Sequence, residues 1–390
     1  MKIYDWIIVG GGITGAALSY ELAKKGFTVL LLEGDPNFQN ATRFSYGGVP
    51  FWAGTTELTR QLFREGRERY RDLSSELGAD TQFRELDLLL PIAPEEDPET
   101  VAASYARFDI PPRLLSKEEA KELEPLLNVE AIAAALTVRH GHISPEGTAA
   151  GYCQAFTRNG GTIEFAKVTE LVREGDRVTG VTDGTTIYPA VNVVICAGGF
   201  SRSLLKSAGI SVPVYFTHAE MLETPPVEVK LRTLVMPAVQ QRGKTETAAS
   251  QTEIDRLWDG GDRELAPPAL DAGAIQFLDN SIRIGQISRT LSNPNAEANA
   301  KESEEAMRGA IAQILPPLGN LPATWHRCLV AFSSDGLPLI GAIPNVEGVQ
   351  IFSGFTSPLV LVPPLAKRFA DYLAGEDDEI VKQLSPSRFN

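Results

Sequence analysis

Three glycines, Gly10, Gly12 and Gly15, and one carboxylate, Glu33, have the types and spacing that most directly specify chemistry in this chain. In a Gly-x-Gly-x-x-Gly pattern the first glycine permits a tight turn and the second lets a pyrophosphate approach the backbone. The third lets a helix pack closely on a strand. Ile13 and Thr14 open that helix, whose N-terminus presents partial positive charge to the phosphates. Glu33 stands where a carboxylate accepts hydrogen bonds from both ribose hydroxyls of an adenosine, and an acid there disfavours a 2′-phosphate. An ordinary glycine turn is the alternative reading, and the agreement of strand, helix and acid speaks against it. NAD and FAD both suit such a site.

The elements that must position these residues are legible around them. The apolar run Ile3 to Val9 reads as a strand entering Gly10-Gly11-Gly12, and Ala17, Leu18 and Leu22 have helical spacing within Ile13 to Lys25. Gly26 ends the helix, and Phe27 to Leu32 is a second buried-type strand closing at Glu33. A long polar helix is expected over Thr56 to Leu77, and the acidic, proline-containing stretch Pro91 to Pro98 reads as a surface insertion. After Gly141-His142-Ile143-Ser144-Pro145 comes a helix from Gly147 to Asn159. Short strands follow at Thr162 to Phe165, Val168 to Glu174 and Arg177 to Thr182, before Val191 to Cys196 again runs into glycine.

From Val212 to about Ala323 the chain carries strands and prolines, with a Thr-, Glu-, Asp- and Gly-rich segment, Gln241 to Leu270, expected to be a mobile loop. The last section, from Asp335 through Gly354 and a helix from Pro364 to Leu373, returns to the first domain. The expected fold is therefore an α/β Rossmann-like nucleotide domain interleaved with a second, sheet-rich α+β domain. The expected segments are 1–80, 145–212 and 325–390 for the first, and 81–144 and 213–324 for the second.

Four segments resemble the D-amino-acid oxidase superfamily of FAD enzymes, close to its glycine oxidase and sarcosine oxidase branch. They are the N-terminal fingerprint with Glu33; Ala41-Thr42-Arg43-Phe44-Ser45-Tyr46-Gly47-Gly48; Val193 to Gly199; and Asp335 to Gly341 followed by Gly354-Phe355-Thr356. The resemblance implies FAD as the cofactor. It places Thr42, Arg43, Ser45, Gly47 and Gly48 along the pyrophosphate and flavin, and the Val168 backbone at the adenine. It has Ala197, Gly198 and Gly199 close on the cofactor, and Asp335, Gly336, Leu337 and the loop Gly354 to Ser357 border the flavin ring. A surface role is the alternative for Arg43, and a simple turn for the glycines after Ile195.

The resemblance implies oxidation of a C–N bond, in which hydride leaves the carbon beside an amine for the flavin and the imine hydrolyses; oxygen or another acceptor takes the electrons. Arg283 matches a position where sarcosine oxidase relatives carry a lysine that assists reaction with oxygen, and a cation there acts by charge. An exposed strand arginine is its plain alternative. His326 either sits over the flavin or merely packs. Cys328 stands seven residues before Asp335, the spacing at which sarcosine oxidases attach flavin through sulfur, although an unmodified buried cysteine is the commoner fate. His140 and His142 lack a third partner at metal-like spacing and read as loop residues.

Two expected carboxylate anchors are missing. The position of the arginine with which glycine and D-amino-acid oxidases grip a carboxylate falls near Val330, and that of the sarcosine oxidase lysine near Leu361. Losing such a charge-assisted contact leaves simple glycine or sarcosine oxidation in doubt, and the run Ser357 to Pro363 suggests an apolar wall instead. Two other functions stay open at this point: an FAD dehydrogenase of a hydroxy acid or other non-amine, and a flavin-binding protein with a regulatory or assembly role.

The net charge of −14, from 36 Lys and Arg against 50 Asp and Glu, opposes nucleic acid or an anionic membrane as partner. No stretch approaches the roughly 20 apolar residues of a bilayer span, and the apolar start runs into glycines without a cleavage-type signal, so a cytoplasmic protein acting on a small molecule is expected. Cys153, Cys196 and Cys328 form no CxxC pair or secreted disulfide framework.

Overall fold

A computed structural model describes residues 2–389; Met1 and Asn390, at the ends of the expected first and last segments, lie outside it. The run Val29–Glu33 is buried at every position, the signature of a strand covered on both faces. It lies parallel to Tyr4–Val9, which lies parallel to Ile187–Ile195, and that strand in turn to Val349–Ser353. Thr162–Phe165 adds to the other edge in parallel, and Leu339–Ala342 closes the far edge antiparallel. Glu170–Glu174 and Arg177–Thr182 form a meander against the start of Ile187–Ile195. One face is covered by the helices Ile13–Lys24, Pro145–Arg158 and Pro358–Leu373, with Glu57–Leu77 packed outside them.

The helix Glu57–Leu77 starts where its cap predicts. Thr56 accepts from the Thr59 amide, and the chain leaves through Gly78 in the left-handed region. The helix expected at Pro364 instead begins at Pro358 and contains Pro363 and Pro364 in its interior. Each proline removes a donor to the carbonyl four residues back, at Leu359 and Val360. Tyr70 supplies one replacement, its hydroxyl donating to Leu359 O at 2.7 Å. Gly66 lets the helix Glu57–Leu77 come close to Val360 O, where any side chain would collide. The prolines persist because the neighbouring helix is shaped to receive them.

The second sheet runs in the order Thr324–Ser333, Val214–Glu223, Ile282–Arg289, Ala269–Gln276, Leu234–Val235, Arg84–Ile92, Ala134–His142 and Gly48–Val49, with Arg113–Leu115 also on Ala134–His142. Its outer face buries Ile282, Ile284 and Ile287 under Met307 and Ile311 of the helix Ala300–Ile314. Its inner face turns to the nucleotide half. Two segments expected in the nucleotide domain pair here. Thr324–Ser333 is hydrogen-bonded along its length to Val214–Glu223, and Gly48–Val49 to Gly141 and His142. The chain changes sheets at Gly336, whose φ of +75° turns it from one strand into Leu339–Ala342.

The segment from Gln241 to Leu270 is not a structureless loop. It folds into the helix Arg242–Ala249 and a 3-10 stretch Thr252–Asp259. Its composition is polar, but Trp258 is buried with Tyr215, Phe216 and Phe332, and Arg202 pairs with Asp255 at 2.9 Å and Asp259 at 3.0 Å. One aromatic anchor and one buried arginine outweigh the composition. Among the described residues no helix is long and apolar enough to cross a membrane.

Candidate cofactor and substrate site

The parallel strands Tyr4–Val9, Ile187–Ile195 and Val349–Ser353 all end at one edge of the first sheet, and each runs into glycine or an Ala-Gly-Gly turn. Connections leave Tyr4–Val9 toward one side while Ile187–Ile195 lies on the other, so this edge is a topological switch point, where such sheets bind ligands. Gly10 has a φ of +104°, and a side chain there would come within 2.7 Å of Cys196 O. A side chain at Gly15 would collide with Gly10 O, so the helix can approach the turn only as glycine. Gly12 caps Ile13–Lys24 without a side-chain hydrogen bond and with no acid in the first turn, which leaves the positive end open to phosphate. Thr42 reaches across to accept from the Ile13 amide at 3.0 Å, and Thr14 donates to Cys196 O at 3.3 Å.

Glu33 is 8% exposed, and its carboxylate accepts from the Gly11 amide at 2.6 Å and the Asp35 amide at 2.8 Å. The acid therefore stands beside the glycine turn as the dinucleotide reading requires. Val168 packs at the margin of the core under the first sheet. Ala197 leads into a 3-10 turn over Gly198–Phe200, where Gly198 has a φ of +53° and a side chain at Gly199 would come within 2.6 Å of Leu329 Cβ. Gly354 has a φ of +79°, Phe355 is buried against Phe352, and Thr356 donates to Gly336 O at 3.0 Å. Ser357 precedes Pro358–Leu373 and provides no side-chain cap, so a second open helix N-terminus meets this edge. Asp335 is occupied otherwise: it accepts from Ser333 and the Leu337 amide and pairs with Arg388 at 2.8 Å. Its place is to hold the turn carrying Gly336 and Leu337 against the C-terminal helices.

Residues directly opposite in an antiparallel ladder share a face, and the ladders of the second sheet fix what looks inward. Arg283 lies opposite Glu223, and His326 and Cys328 lie opposite Met221 and Ala219 on the neighbouring strand. Arg283 is 1% exposed, so it is not a surface arginine. Its guanidinium reaches Glu223 at 3.1 Å and Glu146 at 3.6 Å, donates to Ser45 O, and covers the Phe277 ring at 4.3 Å. Arg43 crosses from the nucleotide half to make a double hydrogen bond with Glu223, both contacts 2.8 Å, and an ion pair with Glu146, also 2.8 Å. His326 stacks on Phe44 at 4.6 Å and stands 3.6 Å from Glu223.

The charges of this network balance. Burial favours a neutral Glu223, but Arg43 and Arg283 outweigh it and hold its carboxyl below the usual range. Burial depresses Arg283 and His326, the latter against the pull of Glu223, so the His326 imidazole is neutral at pH 7. Burial pushes the Cys328 thiol up to about 12, which leaves it protonated. Val330, near the missing arginine position, lies opposite Thr217, and Leu361 is buried in the first turns of its helix.

His140 and His142 are strand residues, not loop residues. They end Ala134–His142 at 4% and 2% exposure, on the same face as Leu136 and Val138 by the period of two. His140 Nδ1 accepts from Trp52 Nε1 at 3.0 Å, which places its proton on Nε2. That Nε2 would lie 2.8 Å from a side chain at Gly48, and His142 Nε2 the same distance from one at Gly47; both positions must be glycine. Gly47 also has a φ of +75°. Glu223, Glu146 and Phe44, which complete the network, carry no signal in sequence, since only the fold brings residues so far apart in the chain together.

Comparison with known proteins decides between the dinucleotides. Residues 5–372 match the family described as DAO, FAD dependent oxidoreductase. The chain belongs to that family. It is 30% identical to the 4-methylaminobutanoate oxidase (formaldehyde-forming) of Paenarthrobacter nicotinovorans over 94% of this chain and 43% of that protein. It is 24% identical to the glycine oxidase of Pseudomonas aeruginosa over 95% of each. The crystal structure of glycine oxidase from Geobacillus kaustophilus superposes with a TM-score of 0.80, at 22% identity, over 100% of this chain and 99% of that one. The protein is an FAD-dependent oxidoreductase. Its open helix N-terminus, glycine turn and the nearby Glu33 fit a dinucleotide cofactor such as FAD.

Proposed function

We propose that this protein oxidises the C–N bond of an amine or amino-acid derivative, with oxygen or another acceptor taking the electrons. Bound FAD supplies the redox chemistry by accepting the hydride. The observation that carries the reading is the network of Arg43, Glu146, Glu223 and His326 around the buried Arg283, where the inner face of the second sheet meets the nucleotide half. Relatives named for amine and amino-acid oxidation support it.

The ionised Glu223, beside the neutral His326, offers acceptors that orient an amine N–H without demanding that the side chains exchange a proton. Arg283 is a cation fixed by three partners, so it meets developing negative charge without reorganising. Phe277 and Phe44 flank the two groups and exclude water. Gly47 and Gly48 leave room for His142 and His140 on the inner face, and the turn at Leu337 closes the other side.

Product identification tests the reading. A panel of primary, N-methyl and cyclic amines, amino acids and hydroxy acids is incubated with the holoprotein and an acceptor dye or oxygen. Release of ammonia or a shorter amine together with a carbonyl compound is expected. Turnover of hydroxy acids alone would remove the C–N reading. Arg283→Met is expected to slow reoxidation more than reduction; equal effects would remove its assigned part.

A further inference from the structure

Arg84 opens the strand Arg84–Ile92 and lies directly opposite His142, which on its other side lies opposite Gly48. The three residues therefore project to the same inner face as Arg283, and with strands about 4.8 Å apart Arg84 stands about 10 Å from Gly48. A row of side chains joins the two arginines: Arg283 covers Phe277, and Phe277 meets the His142 ring edge-on at 4.8 Å.

What separates Arg84 from its neighbours is its lack of an anion. Arg43 and Arg283 are both held by Glu223 and Glu146, whereas no carboxylate among the described residues comes within salt-bridge distance of Arg84. One of its Nη atoms donates to Gln276 O, and its Nε is buried without a partner. Burial lowers its pKa, yet a guanidinium stays charged at any physiological pH. A half-buried cation with an unmatched donor is stabilised by an anion that can take two of its N–H groups, and a carboxylate has that geometry.

We propose that Arg84 determines specificity by binding a carboxylate of the substrate. The positions where relatives are expected to grip an α-carboxylate hold Val330 and Leu361, both incapable of it. The free cation instead lies two strands from the glycine pair assigned to the flavin. The acidic group it takes is carried several bonds from the carbon being oxidised, as in an ω-amino acid. This inference rests on the amine-oxidation reading for the reaction, but not for the binding.

The test is spectral titration of the FAD-loaded protein, which reads binding without turnover. The probes are glycine, 3-aminopropanoate, 4-aminobutanoate, 5-aminopentanoate, their N-methyl forms, and butylamine and N-methylbutylamine as carboxylate-free controls. The wild-type protein is expected to bind acids with three or more carbons between nitrogen and carboxylate at least tenfold more tightly than glycine. Arg84→Gln is expected to weaken those acids at least tenfold and to leave the butylamines unchanged, and Arg84→Lys, which keeps the charge but not the fork, to weaken them severalfold. Should Arg84→Gln fail to fold, Arg84→Lys alone carries the comparison. Equal binding of acids by wild type and variants, a preference for glycine, or no spectral response to any acid would overturn the inference. Arg84-dependent binding without bleaching of the flavin would keep the subsite and sink the amine-oxidation reading; bleaching that ignores Arg84 would do the reverse.

Discussion

Acid should destabilise this protein well before its carboxylates titrate. Burial lowers His140 and His142 from 6.5 to about 3, and both side chains are almost wholly enclosed. In the unfolded chain each takes up a proton near pH 6.5, while in the folded protein each remains neutral until about pH 3. Stability from this source is complete above pH 6.5 and falls as pH drops from there toward 3. Between pH 7 and pH 5 the linkage is worth about 2 kcal/mol for each histidine, so about 4 kcal/mol for the pair. Urea unfolding of the FAD-loaded protein at pH 7, 6 and 5, at constant ionic strength, measures it. His140→Gln keeps an acceptor for Trp52 and should reduce the loss by about half. A stability that changes by less than about 1 kcal/mol over this range, or a variant as acid-sensitive as the parent, would refute the assignment of two buried neutral imidazoles.

Three further outcomes are expected. Gly15→Ala forces the first helix away from the turn at Gly10, which should cost about 1–3 kcal/mol and lower flavin content; undiminished FAD affinity would show that the close packing is not needed. Tyr70→Phe leaves Leu359 O without its donor beside Pro363, and a loss of about 1–2 kcal/mol by chemical denaturation is expected, whereas no loss would mean that another group satisfies the carbonyl. Acid precipitation should leave the yellow colour in solution, because Cys328 is a protonated thiol; colour in the pellet would establish attachment through sulfur.

The nucleotide half was readable because its signals are local. Gly10 to Gly15, the buried run before Glu33 and the capped helix from Thr56 each declare themselves within a few residues. The substrate side was not, and the reasons are specific. Arg283 stands out in the sequence, but its surroundings depend on Glu223, Glu146 and Ser45, which adjoin it only through sheet register and the meeting of the two sheets' halves. His140 and His142 alternate with Val138 and Leu136, a strand pattern hidden by the glycine between them. Pro364 reads as a helix start because Tyr70 and Gly66, which accommodate the prolines, lie some 290 residues earlier in sequence. Trp258 was masked by the polar residues around it.

In the proposed reaction Glu223, His326 and Arg283 would hold the amine against FAD bound at the glycine edge, which would supply the hydride acceptor. Anaerobic mixing of the FAD-loaded protein with the amine, amino-acid and hydroxy-acid panel, followed through the visible flavin band, tests it most directly. Bleaching by an amine, weakened in Glu223→Gln and largely kept in Arg283→Met, is the predicted result. A flavin that no amine bleaches, yet dithionite reduces, would contradict it.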